Sequence, residues 1–95
     1  MTQYALYVEL KAKPGKEEEL ASFLRDAKAL VADEPSTIAW FAIHFDRQTF
    51  AIFDAFDDEP GRDAHLNGRV AEALMARAGD LVENVIDIRR PAVLR

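Results

Sequence analysis

Residues 36–56 read STIAWFAIHFDRQTFAIFDAF. In an extended chain Ile38, Trp40 and Ala42 point to one side, and Phe41, Ile43 and Phe45 to the other. After the interruption at Asp46-Arg47-Gln48, Phe50 and Ile52 oppose Ala51 and Phe53. A half-buried strand alternates apolar with polar residues, whereas both of these segments are apolar on both sides. Their aromatic and β-branched content, joined by a tight turn at DRQT, predicts an antiparallel hairpin whose two faces both need cover.

The flanking sequence supplies cover for one face. YALYVELK, residues 4–11, alternates Tyr4, Leu6, Val8 and Leu10 with Ala5, Tyr7 and Glu9, which is a strand pattern. Pro14-Gly15 forms a turn, and Glu17 to Glu19 suit the first turn of a helix. Leu20, Phe23, Leu24, Ala27, Leu30 and Val31 then recur at helical spacing until Pro35. Asp58 is a candidate N-cap with Pro60 in the first turn of a second helix. That helix carries Leu66, Val70, Leu74 and Leu81, with a break predicted at Asn67-Gly68. NVIDIRRPAVL, residues 84–94, reads as a closing strand, and Pro91 places its end at an edge or bulge.

The order β-α-β-β-α-β predicts an α+β, ferredoxin-like domain over residues 1–95, with one antiparallel sheet and its helices on a single face. The hairpin's second apolar side would then stay open. A large exposed apolar patch is uncommon on a soluble monomer. The expected cover is a second copy of the sheet in a two-fold homodimer, two sheets facing each other as an α+β barrel. The alternative cover is the C-terminal segment folding over the open face.

Composition narrows the function. The 95 residues include no cysteine, which excludes disulfides, thiolate catalysis and cysteine-ligated metal. Twelve basic residues against 17 acidic ones, a net charge of −5, argue against nucleic acid as a partner. No apolar run reaches the ~18 residues of a membrane span, so no membrane partner is expected. The opening MTQYALYVEL lacks a basic n-region and a small-residue cleavage site, so the expected location is cytoplasmic. His44 and His65 form no metal-ligand spacing, and no phosphate loop or nucleophile elbow is present.

Three segments resemble the antibiotic biosynthesis monooxygenase family. KAKPGKEEELASFL is similar to its strand-turn-helix opening, and VADEPSTIAWF to its helix end and second-strand entry, with Trp40 as the aromatic. In FDAFDDEPGRDAHLNGRV, Asp54, Phe56 and His65 match the family's spacing of acid, aromatic and helix histidine. Glu and Trp are commoner at the first two positions, and Arg69-Val70 stands where a His-Phe pair often follows. The resemblance implies a pocket between sheet and helices in each subunit of a dimer. It also implies oxygenation of phenolic, quinol or polycyclic aromatic molecules without cofactor or metal, the electron-rich substrate anion itself reducing dioxygen. Heme-degrading relatives need a first-strand asparagine and a third-strand tryptophan, which this chain lacks.

On that resemblance His65 and Asp54 are the candidate catalytic residues, and Trp40, Phe56 and Tyr7 the candidate substrate-binding residues. Histidine suits proton transfer near neutral pH because its ordinary pKa is about 6.5. Asp54, in an otherwise apolar strand, must be paired or shifted; an arginine or a histidine would serve as partner. Trp40 could wall an aromatic pocket, and its N–H would need a partner when buried; core packing is the plainer reading. Tyr4 and Tyr7 point oppositely, so at most one faces a pocket. Two other readings stand beside the oxygenase: a non-catalytic small-ligand binding or sensing dimer, and a structural dimer whose pocket its own side chains fill.

Overall fold

The computed structural model describes residues 1–94, with Ile86 described through its backbone alone. The chain runs β1 (Tyr4–Ala12), α1 (Glu17–Val31), β2 (Thr37–His44), β3 (Thr49–Phe56), α2 (Glu59–Leu66), α3 (Arg69–Leu81) and β4 (Val82–Arg89). The four strands form one antiparallel sheet in the order β2-β3-β1-β4. This is the expected ferredoxin-like arrangement, with the second helix divided in two.

Local chemistry explains the boundaries. Gly15, at φ +84°, makes the left-handed turn that leads from β1 into α1. The acidic first turn of α1 faces the positive end of its dipole, and Leu20, Leu24 and Ala27 bury its inner stripe. Asp58 caps α2, its side chain accepting from Gly61 N at 2.7 Å. At Asn67 the helix ends, and a new one starts beyond Gly68. β4 begins directly at Val82, two residues before the sequence pattern suggests. It follows β1 through two register shifts, which accommodate the abrupt passage from helix to strand.

Between the sheet and the helices lies a core that includes Leu10, Leu20, Leu24, Trp40, Phe50, Ile52 and Leu81. The register aligns Tyr4, Leu6, Val8 and Leu10 with Phe56, Asp54, Ile52 and Phe50. On the other side β3 pairs Trp40 with Asp54 and Ala42 with Ile52. The opposite face holds the pair Phe41–Phe53 and the pair Ile43–Ala51. Phe41 is 55% exposed, Phe45 60% and Phe53 38%, whereas the small Ala51 and Ala55 beneath them are buried. The thinnest dimension, 17 Å, accommodates one sheet and one helical layer and no third.

The C-terminal segment does not cross that open face. The Pro91 carbonyl accepts from Ala5 N at 2.9 Å, and Val93 N donates to Gln3 O at 2.8 Å. Residues 91–93 therefore continue along the edge of β1, and Pro91 falls just beyond the last strand. Arg95, the final residue of the expected domain, lies outside the described residues. Among the described residues no helix is long and apolar enough to cross a membrane.

Candidate functional site

Asp54 sits in the middle of β3 with no exposed surface, flanked on the sheet by Leu6 and Trp40. Period-two geometry turns it toward the helices, where an isolated carboxylate would cost several kcal/mol. Its partner is a histidine. His65, on the inner side of α2, places Nε2 2.6 Å from Asp54 Oδ2. The other ring nitrogen, Nδ1, lies 2.5 Å from Glu34 Oε1. An imidazole facing an acceptor on each nitrogen needs both protons, so the geometry is that of an imidazolium between two carboxylates. One positive charge against two negative ones leaves the cluster with a negative excess.

Burial alone would lower the pKa of His65, but Asp54 and Glu34 outweigh it and hold the imidazole above its ordinary value. Burial drives the Asp54 carboxyl upward, against the pull of His65, and the neighbouring Glu34 charge adds to the rise. Both Asp54 oxygens and Glu34 Oε2 are buried without a well-aligned hydrogen bond among the described residues, Oδ2 meeting His65 as a close charge contact. The cluster is thus closed at its centre and retains acceptor capacity at both ends.

Local structure fixes each member. α2 starts at the Asp58 cap and brings His65 into its last turn. Glu34 follows the end of α1, where its N–H donates to Val31 O at 2.8 Å. Thr37, entering β2, donates from its hydroxyl to Glu34 Oε1 at 3.0 Å and from its N–H to Glu34 O at 3.1 Å. Phe56 is fully buried and meets the His65 ring at a centroid distance of 5.5 Å. Arg62, one turn before His65, pins α2 to the sheet by donating from Nη1 to Ala5 O at 3.2 Å.

Of the sequence candidates, Asp54, His65, Phe56 and Trp40 therefore share one side of the sheet. Trp40 is buried in the core beside Asp54, and its Nε1 has no partner among the described residues. Tyr7 does not join them. Its register partners are Phe53 and Arg89, and its hydroxyl donates to Glu9 at 2.7 Å on the open face. Strand alternation puts Tyr4 on the site side instead, with the Arg62 guanidinium 5.1 Å from its ring centre. Asp54 draws its counter-charge from the histidine and not from an arginine. Glu34 has no periodicity to reveal it in sequence, since it belongs to a turn and acts 31 residues away from His65.

Among the described residues, clefts open beside the sheet at two of its ends. One, of about 220 Å³, opens between the end of α1, the start of β2 and the α2–α3 junction, and Glu34 and His65 form part of its wall. The other, of about 540 Å³, lies between the first turns of α1 and the β2–β3 hairpin. His44 borders it, exposed and stacked on Phe50 at 5.9 Å. Among the described residues no group of three or more His, Cys, Asp or Glu side chains is disposed to hold a metal. In the His65 cluster the ring nitrogens face the carboxylates, so they do not converge on a common point.

No family model matches the chain, and neither does any curated protein. Solved structures do. A Caulobacter crescentus protein provisionally described as an antibiotic biosynthesis monooxygenase superposes with a TM-score of 0.86 at 16% identity, over 99% of this chain and 92% of that one. PA3566 from Pseudomonas aeruginosa gives 0.85 at 22% identity, over 100% and 97%. At these identities the likeness establishes a shared fold. NE2512 from Nitrosomonas europaea, a protein of unknown function, gives 0.97 at 50% identity, over 100% of this chain and 92% of that one. With half of its residues identical along its whole length, the chain belongs to the family of the NE2512 protein.

Proposed function

We propose that the protein is a cofactor-independent monooxygenase of small phenolic or quinol-like aromatics, with the Asp54–His65–Glu34 cluster as its proton acceptor. The observation that carries this reading is the imidazole set between two carboxylates beside a cleft. The description of the Caulobacter protein as a monooxygenase of the same fold supports it.

The chemistry follows from proton affinities. A phenol, with a pKa near 10, gives up its proton poorly to an ordinary carboxylate near 4. An imidazole raised above its usual value narrows that gap, so the working base is neutral His65. Both ring nitrogens are occupied, so the hydroxyl proton reaches His65 Nδ1 through Glu34, the carboxylate of the cluster that forms part of the cleft wall. The phenolate left behind reduces dioxygen by one electron, and the radicals recombine at a ring carbon. One oxygen atom stays on the ring as the carbonyl of a quinone, and the other leaves as water.

The test is dioxygen uptake by purified, metal-stripped protein with catechols, naphthoquinols and anthrones, corrected for autoxidation. Wild-type protein should accelerate uptake, and His65→Gln should lower the rate at least 100-fold when assayed below its own melting transition. Uptake that survives His65→Gln would remove the cluster from the mechanism. The competing reading, a binding or sensing module, draws on the burial of His65, only 6% exposed. It predicts ligand-dependent stabilisation without oxygen consumption.

We also propose that the functional unit is a homodimer formed through the open sheet face. Phe41, Ile43, Phe45 and Phe53 form the apolar surface that supports this.

A further inference from the structure

We infer that Thr37 is a positioning residue: turned toward the site by a β-bulge, it fixes the Glu34 carboxylate on His65 and so keeps the imidazole between two carboxylates. Its effect on catalysis rests on the oxygenase reading above, whereas its effect on His65 does not.

Alternation alone would send Thr37 the wrong way. Trp40 and Ala42 face the helices, and an unbroken β2 would put Thr37, three residues before Trp40, on the open face with Phe41. The register shifts before that happens. Thr37 pairs with Phe56 and Ala39 with Ala55, so β2 carries one extra residue, Ile38, between them. Such a bulge reverses the side to which the preceding side chain points. Directly opposed residues share a face, and Thr37 therefore lies with Phe56, whose buried ring meets His65. From there its hydroxyl reaches Glu34 Oε1 at 3.0 Å.

The resulting clasp has a backbone half and a side-chain half. Glu34-Pro35-Ser36-Thr37 is a β-turn, closed by the Thr37 N–H donating to Glu34 O at 3.1 Å, and Pro35 stands where its fixed φ suits the turn. The hydroxyl closes a second ring through the Glu34 side chain. Oε1 thus faces two donors, Thr37 and His65 Nδ1, the latter at 2.5 Å. At the other oxygen the chain passes close, since a methyl on Gly68 would stand 3.0 Å from Oε2. The turn itself is pressed against α2, where a methyl on Gly61 would stand 3.1 Å from Ser36 Cβ.

Close packing restrains Glu34 on the protein side, and the hydroxyl restrains it on the other. The Glu34 side chain keeps 18% of its surface exposed beside the cleft that Thr37 and His65 also border. A carboxylate released from Thr37 has solvent to turn to and gains hydration by leaving. The imidazolium attracts it without orienting it, because Asp54 competes for the same charge at the opposite nitrogen. A hydroxyl hydrogen bond supplies the direction that a charge contact lacks.

The His65 ring nitrogens are titrated by NMR in the wild type, Thr37→Val and Thr37→Ser, with circular dichroism confirming the fold. Valine keeps the shape and the β-branching suited to a strand but removes the donor, whereas serine keeps the donor. In Thr37→Val the His65 pKa should fall by about one pH unit, because one of two carboxylates turns away. Thr37→Ala, which removes the hydroxyl without replacing its bulk, should match valine, and Thr37→Ser should titrate with the wild type. On the oxygenase reading, Thr37→Val should also lower kcat for catechol about tenfold at unchanged KM and move the pH of half-maximal rate downward, with serine restoring both. An unchanged His65 titration in the valine and alanine variants would overturn the assignment. So would a serine variant that titrates like valine, since the methyl and not the hydroxyl would then hold Glu34. The expected titration pattern without dioxygen uptake, in the wild type as in the variants, would uphold the clasp and defeat the oxygenase reading.

Discussion

His65 ties two properties of the protein to one proton. Its pKa in the folded chain lies above the unfolded value, so the folded state holds the proton more tightly. The resulting stability is complete below pH 6.5 and is lost as pH rises through the folded value. Asp54, also raised, acts in the same direction from its own unfolded value of 3.8 upward. Melting temperature should therefore fall on the alkaline side of pH 6.5, and His65→Gln should remove that slope. The variant should itself be less stable, by about 3 kcal/mol, because two buried carboxylates lose their counter-charge. Oxygenase activity should run the other way, rising with pH as His65 becomes neutral. Melting curves and uptake rates over the same buffers test both signs, and parallel pH profiles would separate the proton from the chemistry. Asp54 and His65 were legible in the sequence as a carboxylate that needs a partner and a helix histidine. Glu34 was not, because a turn residue carries no pattern and its role depends on where α1 ends relative to α2.

The elements place these residues, and α2 carries the greatest share. It has eight residues and is held by the Asp58 cap, the Arg62 contact with Ala5 and the His65 cluster itself. Asp58→Ala removes the acceptor of Gly61 N and should cost about 1 kcal/mol. If α2 is held mainly by packing, the loss will be much smaller in chemical denaturation and the His65 resonances will not broaden. The break before α3 was readable from Asn67-Gly68, since both residues favour termination. Its consequence was not: at Gly68 the chain passes so close to Glu34 that an added methyl would stand 3.0 Å from its Oε2. The early start of β4 also escaped the sequence, because Leu81-Val82 passes from helix to strand without any turn residue.

At the scale of the molecule the unresolved demand is the second face of the sheet. The two longer dimensions, 40 and 25 Å, leave room for the ~800 Å² per partner of a standard interface. Sedimentation at micromolar concentration should give twice the mass of one 10.7 kDa chain. Phe41→Lys, which sets a charge opposite Phe53, should yield a folded monomer. A monomeric wild type would sink the two-fold arrangement and leave an apolar face without a reason. The C-terminal segment is no longer a competitor, because Ala5 and Gln3 hold its backbone along β1.

By itself the sequence determined the elements, their order and the two-sided apolar character of the hairpin, because periodicity, turn residues and caps act within a few residues of one another. It also marked Asp54, in an otherwise apolar strand, as a carboxylate that must be paired or shifted if buried. Only the tertiary structure decided what met it there. The His65 contact spans 11 residues and the Glu34 contact 31, and both arise from helix packing on the sheet. Tyr7 went to the far face for an equally simple reason: alternation restricts a strand residue to two sides, and only the packed helices decide which side holds the site.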